Sequence, residues 1–178
     1  MKMHALFGLL PLVLSLPLAG CGGGGGGEAQ LSQKTATITF AVMSTAMLPS
    51  PIAGIHITAQ LPAGVTVTTE PTNPRQIADG LTGIKTNGSI PFGRYSATTR
   101  QVIFDVIDAS SDQAGIGLGD FARLTCTITP GMTLSPDDFT IINNPLPNFK
   151  SFGFDAVAGN TVDLTGRTKP VLKVTFGL

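Results

Sequence analysis

Tryptophan is missing from this chain of 178 residues, and tyrosine occurs once. Platforms that stack sugar rings or bases are built from exposed aromatics, so any platform here falls to Tyr95 and a few of the phenylalanines: Phe92, Phe149, Phe152 and Phe154. Histidine is nearly as scarce, with only His4 and His56. A zinc site built on several histidines is therefore excluded, and no Gly-x-Ser-x-Gly elbow presents a nucleophile to His56. Charged residues make up 12% of the chain, eleven basic against eleven acidic. That balance removes the electrostatic footprint of a nucleic-acid binder or a polybasic membrane binder. The longest apolar stretch, Ala5 to Leu16, is broken by Pro11 and falls short of the roughly 20 residues that span a bilayer.

What stands at the N-terminus instead is an export signal in three parts. Lys2 supplies the positive charge, Ala5 to Leu16 the apolar segment, and Leu18-Ala19-Gly20-Cys21 the small-residue processing site. Those four residues resemble, position by position, the processing box of prokaryotic lipoprotein precursors, a likeness confined to about the first 21 residues. The resemblance implies cleavage before Cys21, diacylglycerol on its thiol and N-acylation. A second acyl chain matters because one alone holds a protein only marginally. Gly22 stands where Asp would often signal inner-membrane retention, which favours the outer membrane. Residues 1–20 thus read as a signal peptide and 21–33 as lipidated cysteine and tether. The run Gly22 to Gly27 is a flexible leash; it is not a phosphate loop, because no strand precedes it and no Gly-Lys-Ser/Thr closes it.

Losing Lys2 with the signal leaves a net charge of about −1, and about 146 residues remain after the tether, enough for one domain with a full core. With Cys21 carrying lipid, Cys126 has no partner for an intramolecular disulfide. It shares a strand face with Ala122, Leu124 and Ile128, so it is expected buried as a small hydrophobe.

Beyond residue 34 the apolar period is two, the signature of half-buried strands. Ala36, Ile38, Phe40 and Val42 alternate with threonines, and Ile55, Ile57, Ala59 and Leu61 alternate after Gly54. Gln101 to Ile107 is more continuous, as in a strand covered on both faces or near the sandwich centre. Phe121 to Thr129, Phe139 to Ile142, Ser151 to Val157, Thr161 to Leu164 and Val171 to Phe176 read as later strands. Asn87-Gly88, Pro130-Gly131 and Ala158-Gly159-Asn160 mark turns. One helical turn is expected around Gln76-Ile77-Ala78. The pattern predicts an all-β fold for residues 34–178: an antiparallel β-sandwich, a nine-stranded jelly roll.

The order of segments carries a second resemblance. Gly54-Ile55-His56-Ile57-Thr58-Ala59-Gln60-Leu61-Pro62-Ala63-Gly64-Val65 is followed by Val102-Ile103-Phe104-Asp105-Val106-Ile107-Asp108. A glycine-rich turn then leads to Gly119-Asp120-Phe121-Ala122-Arg123-Leu124, and Phe152-Gly153-Phe154-Asp155 precedes the last strand. This resembles the cohesin-type domain, in the group that shares its sandwich with some carbohydrate-binding modules. The resemblance implies a non-catalytic binding role, a sheet face being the surface that in cohesins takes a calcium-loaded dockerin. No binding residue carries over.

Three residue sets are candidate sites. Alternation puts Phe121 opposite Leu124 and Cys126, so it either marks a docking surface or packs under a loop. Tyr95 and Phe152 join it as candidate ligand contacts. Asp108, Asp112 and Asp120, around a glycine-rich loop, are candidate calcium ligands, although the spacing is not that of an EF-hand and Asp and Gly also simply make turns. Gly115-Ile116-Gly117-Leu118-Gly119 leads into a strand and so lacks the helix dipole of a phosphate loop. His56 is expected on the outer face of its strand. The expectation is a non-enzymatic, lipid-anchored module of the cell envelope, without cofactor, that docks a dockerin-like protein partner. A polysaccharide-binding module, or a structural component of a secretion or pilus assembly, is the alternative.

Overall fold

The computed structural model describes residues 33–85, 90–108 and 115–178. The alternating segments form strands, because residues i and i+2 share a face and one face meets the core. Among the described residues there are twelve strands: β1 (Thr35–Ser44), β2 (Ile52–Gln60), β3 (Val65–Thr66), β4 (Thr69–Glu70), β5 (Asn73–Ile77), β6 (Leu81–Gly83), β7 (Ile90–Ser96), β8 (Gln101–Ile107), β9 (Gly119–Ile128), β10 (Asn148–Asp155), β11 (Asn160–Asp163) and β12 (Thr168–Gly177). All pair antiparallel, in two sheets. One sheet runs β12-β1-β9-β3, with β6 also on β9; the other runs β11-β10-β2-β8-β7-β5-β4. The chain is an all-β antiparallel sandwich. Its strand count exceeds nine because β3 to β6 are two to five residues long, too short to show alternation.

The core lies between the sheets. Ile38 and Phe40 on β1 and Leu124 and Cys126 on β9 face Ile55 and Ile57 on β2 and Phe104 and Val106 on β8, all almost fully buried. Phe40 and Phe104 meet edge to face, with centroids 4.9 Å apart. The outward positions of the five-stranded sheet are mostly polar: Thr37, Thr125 and Thr175 stand in one cross-strand row, Thr39 stands between Lys173 and Arg123, and Met43 is exposed opposite Lys169.

Two local expectations are corrected. Phe139 to Ile142 is not a strand: Pro136–Thr140 is a short helix, α1, and Ile141–Asn143 a 3-10 turn. Ser135-Pro136-Asp137-Asp138 dictates it. Proline suits the first helical position, and the Asp138 carboxylate accepts hydrogen bonds from the Ser135 backbone N–H at 2.7 Å and hydroxyl at 2.9 Å. Those bonds hold the Asp138 carboxyl below its usual range. Asn143 fastens this corner to β2, accepting the Gln60 N–H at 2.7 Å and donating to the carbonyls of Gln60 and Phe139, both at 2.8 Å. Around Gln76-Ile77 there is no helical turn either; β5 pairs with β4 and β7 there and buries Ile77.

Candidate docking face

The outer face of the seven-stranded sheet is built by β10, β2, β8 and β7. Register places Phe152, Gly54 and Ile107 in one row, Lys150, His56 and Asp105 in the next, and Asn148, Thr58, Ile103 and Arg94 in a third. In the central row His56 Nδ1 lies 2.7 Å from Asp105 Oδ1, both side chains partly open to solvent.

Apolar side chains flank that pair. Ile107 is 49% exposed, Ile103 37% and Phe154 43%, with Phe152 half-buried beside them. Of the two expectations for this run, a strand covered on both faces is corrected, and a strand near the sandwich centre holds, since β8 is the middle strand of its sheet. Val102, Phe104 and Val106 point into the core, while Ile103 and Ile107 point out on the phase that Asp105 shares. Asp105 was the legible signal: a carboxylate in mid-run marks the outward phase of its neighbours.

At the apolar end the face dips into a cleft of about 580 Å³, lined by Pro49, Ser50, Pro51 and Ala53 with Ile107 and Phe154. Gly153 allows this loop to seat. A Cβ there would come within 2.0 Å of Ser50 Oγ and 2.8 Å of the Pro51 carbonyl. Ser50 Oγ is buried with no hydrogen-bond partner among the described residues. At the other end a polar groove of about 640 Å³ gathers Arg75, Gln76 and Arg94 beside His56 and Asp105.

The remaining candidates fall elsewhere. Phe121 is no docking residue: it is fully buried. The ladder between β1 and β9 slips between Phe40 and Ala41, so Phe40 faces Ala122 while Ala41 faces Asp120. Phe121 is the extra residue of that bulge, and it and Ala122 both turn inward. Tyr95 is 6% exposed and packs in the core, where burial, reinforced by Cys126, raises its phenol pKa. It therefore forms no platform with Phe152. Phe149 packs against the core from β10. Cys126 is buried, and burial pushes its thiol up to about 12.

Asp108 Oδ2 accepts the Gly115 N–H at 2.6 Å, fixing the exit of β8. Asp120 lies on the opposite sheet, bonded to Lys173 at 2.8 Å. These two carboxylates are not brought together, and Asp112 lies outside the described residues. Among the described residues no group of three His, Cys, Asp or Glu gathers in one place. Leu18, Ala19, Gly20, Cys21, the Asn87-Gly88 turn and the side chain of Phe92 also lie outside them. No described helix is long and apolar enough to cross a membrane.

The fold and this face define an antiparallel β-sandwich with one mostly polar outer surface and one that carries a cluster of exposed apolar residues around a hydrogen-bonded His56–Asp105 pair. No family model, curated protein or solved structure matches the chain.

Proposed function

We propose that the protein is a non-catalytic binding module, held at the cell envelope by lipid on Cys21, that docks a protein partner through the outer face of its seven-stranded sheet. The observation that carries the reading is the exposure of Ile107, Phe154 and Ile103 around His56 and Asp105. Stable interfaces combine a desolvated apolar centre with a polar rim. Here Phe152, Phe154, Ile107 and Ile103 supply the apolar contacts on both sides of the His56–Asp105 pair, and Lys150 and Arg94 supply charge at the rim. The Leu18-Ala19-Gly20-Cys21 box supports the anchor and the extracytoplasmic address, and Gly22 favours the outer membrane. The resemblance to cohesin-type domains supports sheet-face recognition of a protein. Burial of Tyr95 removes the aromatic pair on which a polysaccharide platform would have rested.

The test uses the full chain, exported and processed in a bacterial host and kept in its envelope. Photo-crosslinkers at Ile103 and Phe152 are expected to trap one protein of defined mass. Phe154→Asp is expected to abolish the adduct at an unchanged melting temperature. Trapped polysaccharide, or no adduct at either position, would overturn the reading.

A further inference from the structure

The edge strand β12 carries a second interaction surface, and it is self-complementary. In the β1–β12 register the Thr45 N–H bonds the Arg167 carbonyl at 2.8 Å. N–H and C=O groups alternate sides along a strand, so the odd-numbered residues of β12 bond β1 and the even-numbered ones face outward. The free edge thus presents the N–H and C=O groups of Leu172, Val174 and Phe176, and among the described residues nothing bonds to them. Pro170, the residue in β12 without an N–H, also falls on an even position, where it costs β1 nothing.

The side chains of Leu172, Val174 and Phe176 point inward yet are only half-buried, whereas Ile38 and Phe40 beside them on β1 are almost fully buried. At Phe176 the ring of Phe139 on α1 closes the core, with centroids 6.1 Å apart, and along Leu172 and Val174 the core is open at this edge. Lysine usually blocks such an edge, but Lys173 reaches back across its own sheet to Asp120. Lys169 stands beside Pro170, so both blocking devices sit at the start of the strand, and beside residues 172–176 only α1 packs, through Phe139 on Phe176 among the described residues.

We infer that β12 pairs antiparallel with β12 of a second copy of this chain, about a two-fold axis at Val174. In that register Leu172 bonds the partner's Phe176, Val174 bonds the partner's Val174, and no bond needs the missing N–H of Pro170. The three half-buried side chains cover their counterparts. Lys173 stands opposite the partner's Thr175, so no like charges face each other. The two five-stranded sheets become one continuous sheet, with a closed, isologous contact.

The experiment uses the full chain in its native envelope. Lys173 and the partner's Thr175 form a non-hydrogen-bonded pair with Cα atoms about 4.5 Å apart, within disulfide reach. Lys173→Cys combined with Thr175→Cys should therefore give a covalent dimer on mild oxidation, while Thr127→Cys, on the exposed face of β9, should not. Adding Val174→Pro removes one outward N–H, leaves the β1 ladder whole and should abolish the dimer. Thr175→Lys, a surface change that sets lysine against the partner's Lys173, should lower the native mass to that of a monomer in detergent without changing the melt. It keeps the inference falsifiable should the proline variant fail to fold. No dimer from the double-cysteine chain, equal dimer from Thr127→Cys, or an adduct with a different protein would each overturn self-pairing.

Discussion

Phe40 and Phe104, on opposite sheets, meet with ring planes at 69° and centroids 4.9 Å apart. Both rings are fully buried, so this contact joins the two layers at their centre. Edge-to-face geometry adds to the gain from burial alone. Phe104→Ala should destabilise the fold by about 3–5 kcal/mol, read as a lower urea midpoint at unchanged slope. A loss under about 1 kcal/mol would mean that the sheets close over the gap.

Asn143 predicts a polar counterpart. Its amide satisfies three buried or half-buried backbone groups, on Gln60 and Phe139. Asn143→Leu keeps the branching and the number of heavy atoms and strands those groups, at about 1–3 kcal/mol for each one left unpaired in the core. The expected loss is about 3 kcal/mol, with faster amide exchange at Gln60. Unchanged exchange there would show that water replaces the side chain.

The Cys126 thiol sets a pH slope. Its pKa rises from 9.0 to about 12 on folding through burial. Below pH 9 both states hold the proton, and the stabilisation is fully present. Between pH 9 and about 12 the unfolded chain releases its proton while the native state keeps it, so stability falls as pH rises. The slope is about 1.4 kcal/mol per pH unit. Urea denaturation at pH 8 and pH 10 should therefore show a steeper decline for the native sequence than for Cys126→Ala. Parallel declines would contradict the shift.

The docking face should contribute little to folding. The His56–Asp105 pair is part-exposed, and such pairs contribute under about 1 kcal/mol. Asp105→Ala should shift the melting temperature by no more than a few degrees while weakening partner capture. A large drop in melting temperature with capture intact would assign the pair to stability instead.

Legibility followed the physics of each element. In β1 and β2, alternation marked the inward residues correctly, Ala36, Ile38, Phe40 and Val42 and then Ile55, Ile57 and Ala59, because the register slips in their ladders leave those residues in one phase. Cys126 was readable for the same reason. Phe121 was not: the bulge that turns it inward is a property of the pairing between β1 and β9, and nothing in Gly119-Asp120-Phe121-Ala122 announces it. Tyr95 hid because its run, Pro91-Phe92-Gly93-Arg94-Tyr95, has no second large apolar residue in phase to reveal the inward side. Phe139 looked like strand because its apolar neighbours, Ile141 and Ile142, dominate the pattern, although Ser135-Pro136 already carried the helix start. The docking face was half legible. Phe152 was among the candidates, but Ile103 and Ile107 read as core until the register set them beside His56.

The slip at Phe121 has a further consequence for how this chain tolerates change in length. Upstream of it Asp120 sits on the outward frame, and downstream Arg123 sits on that same outward frame with one residue too many between them. Deleting Phe121 or Ala122 would leave one inward residue between two outward charges, erasing the bulge at the cost of one buried side chain, whereas deleting Thr125 would turn Arg123 towards the core. The turn at Ala156 to Gly159, where Asp155 accepts the Gly159 N–H on its carbonyl at 2.8 Å and the Val157 and Ala158 N–H groups on its carboxylate at 2.9 and 3.0 Å, buries no side chain and carries no such constraint. A scan of single-residue deletions should therefore be punishing across 124–126, milder at 121 and 122, and almost silent across 156–159. Deletions at 121 and 122 as damaging as those across 124–126 would mean that the bulge itself, and not the alternation after it, holds the strand in place.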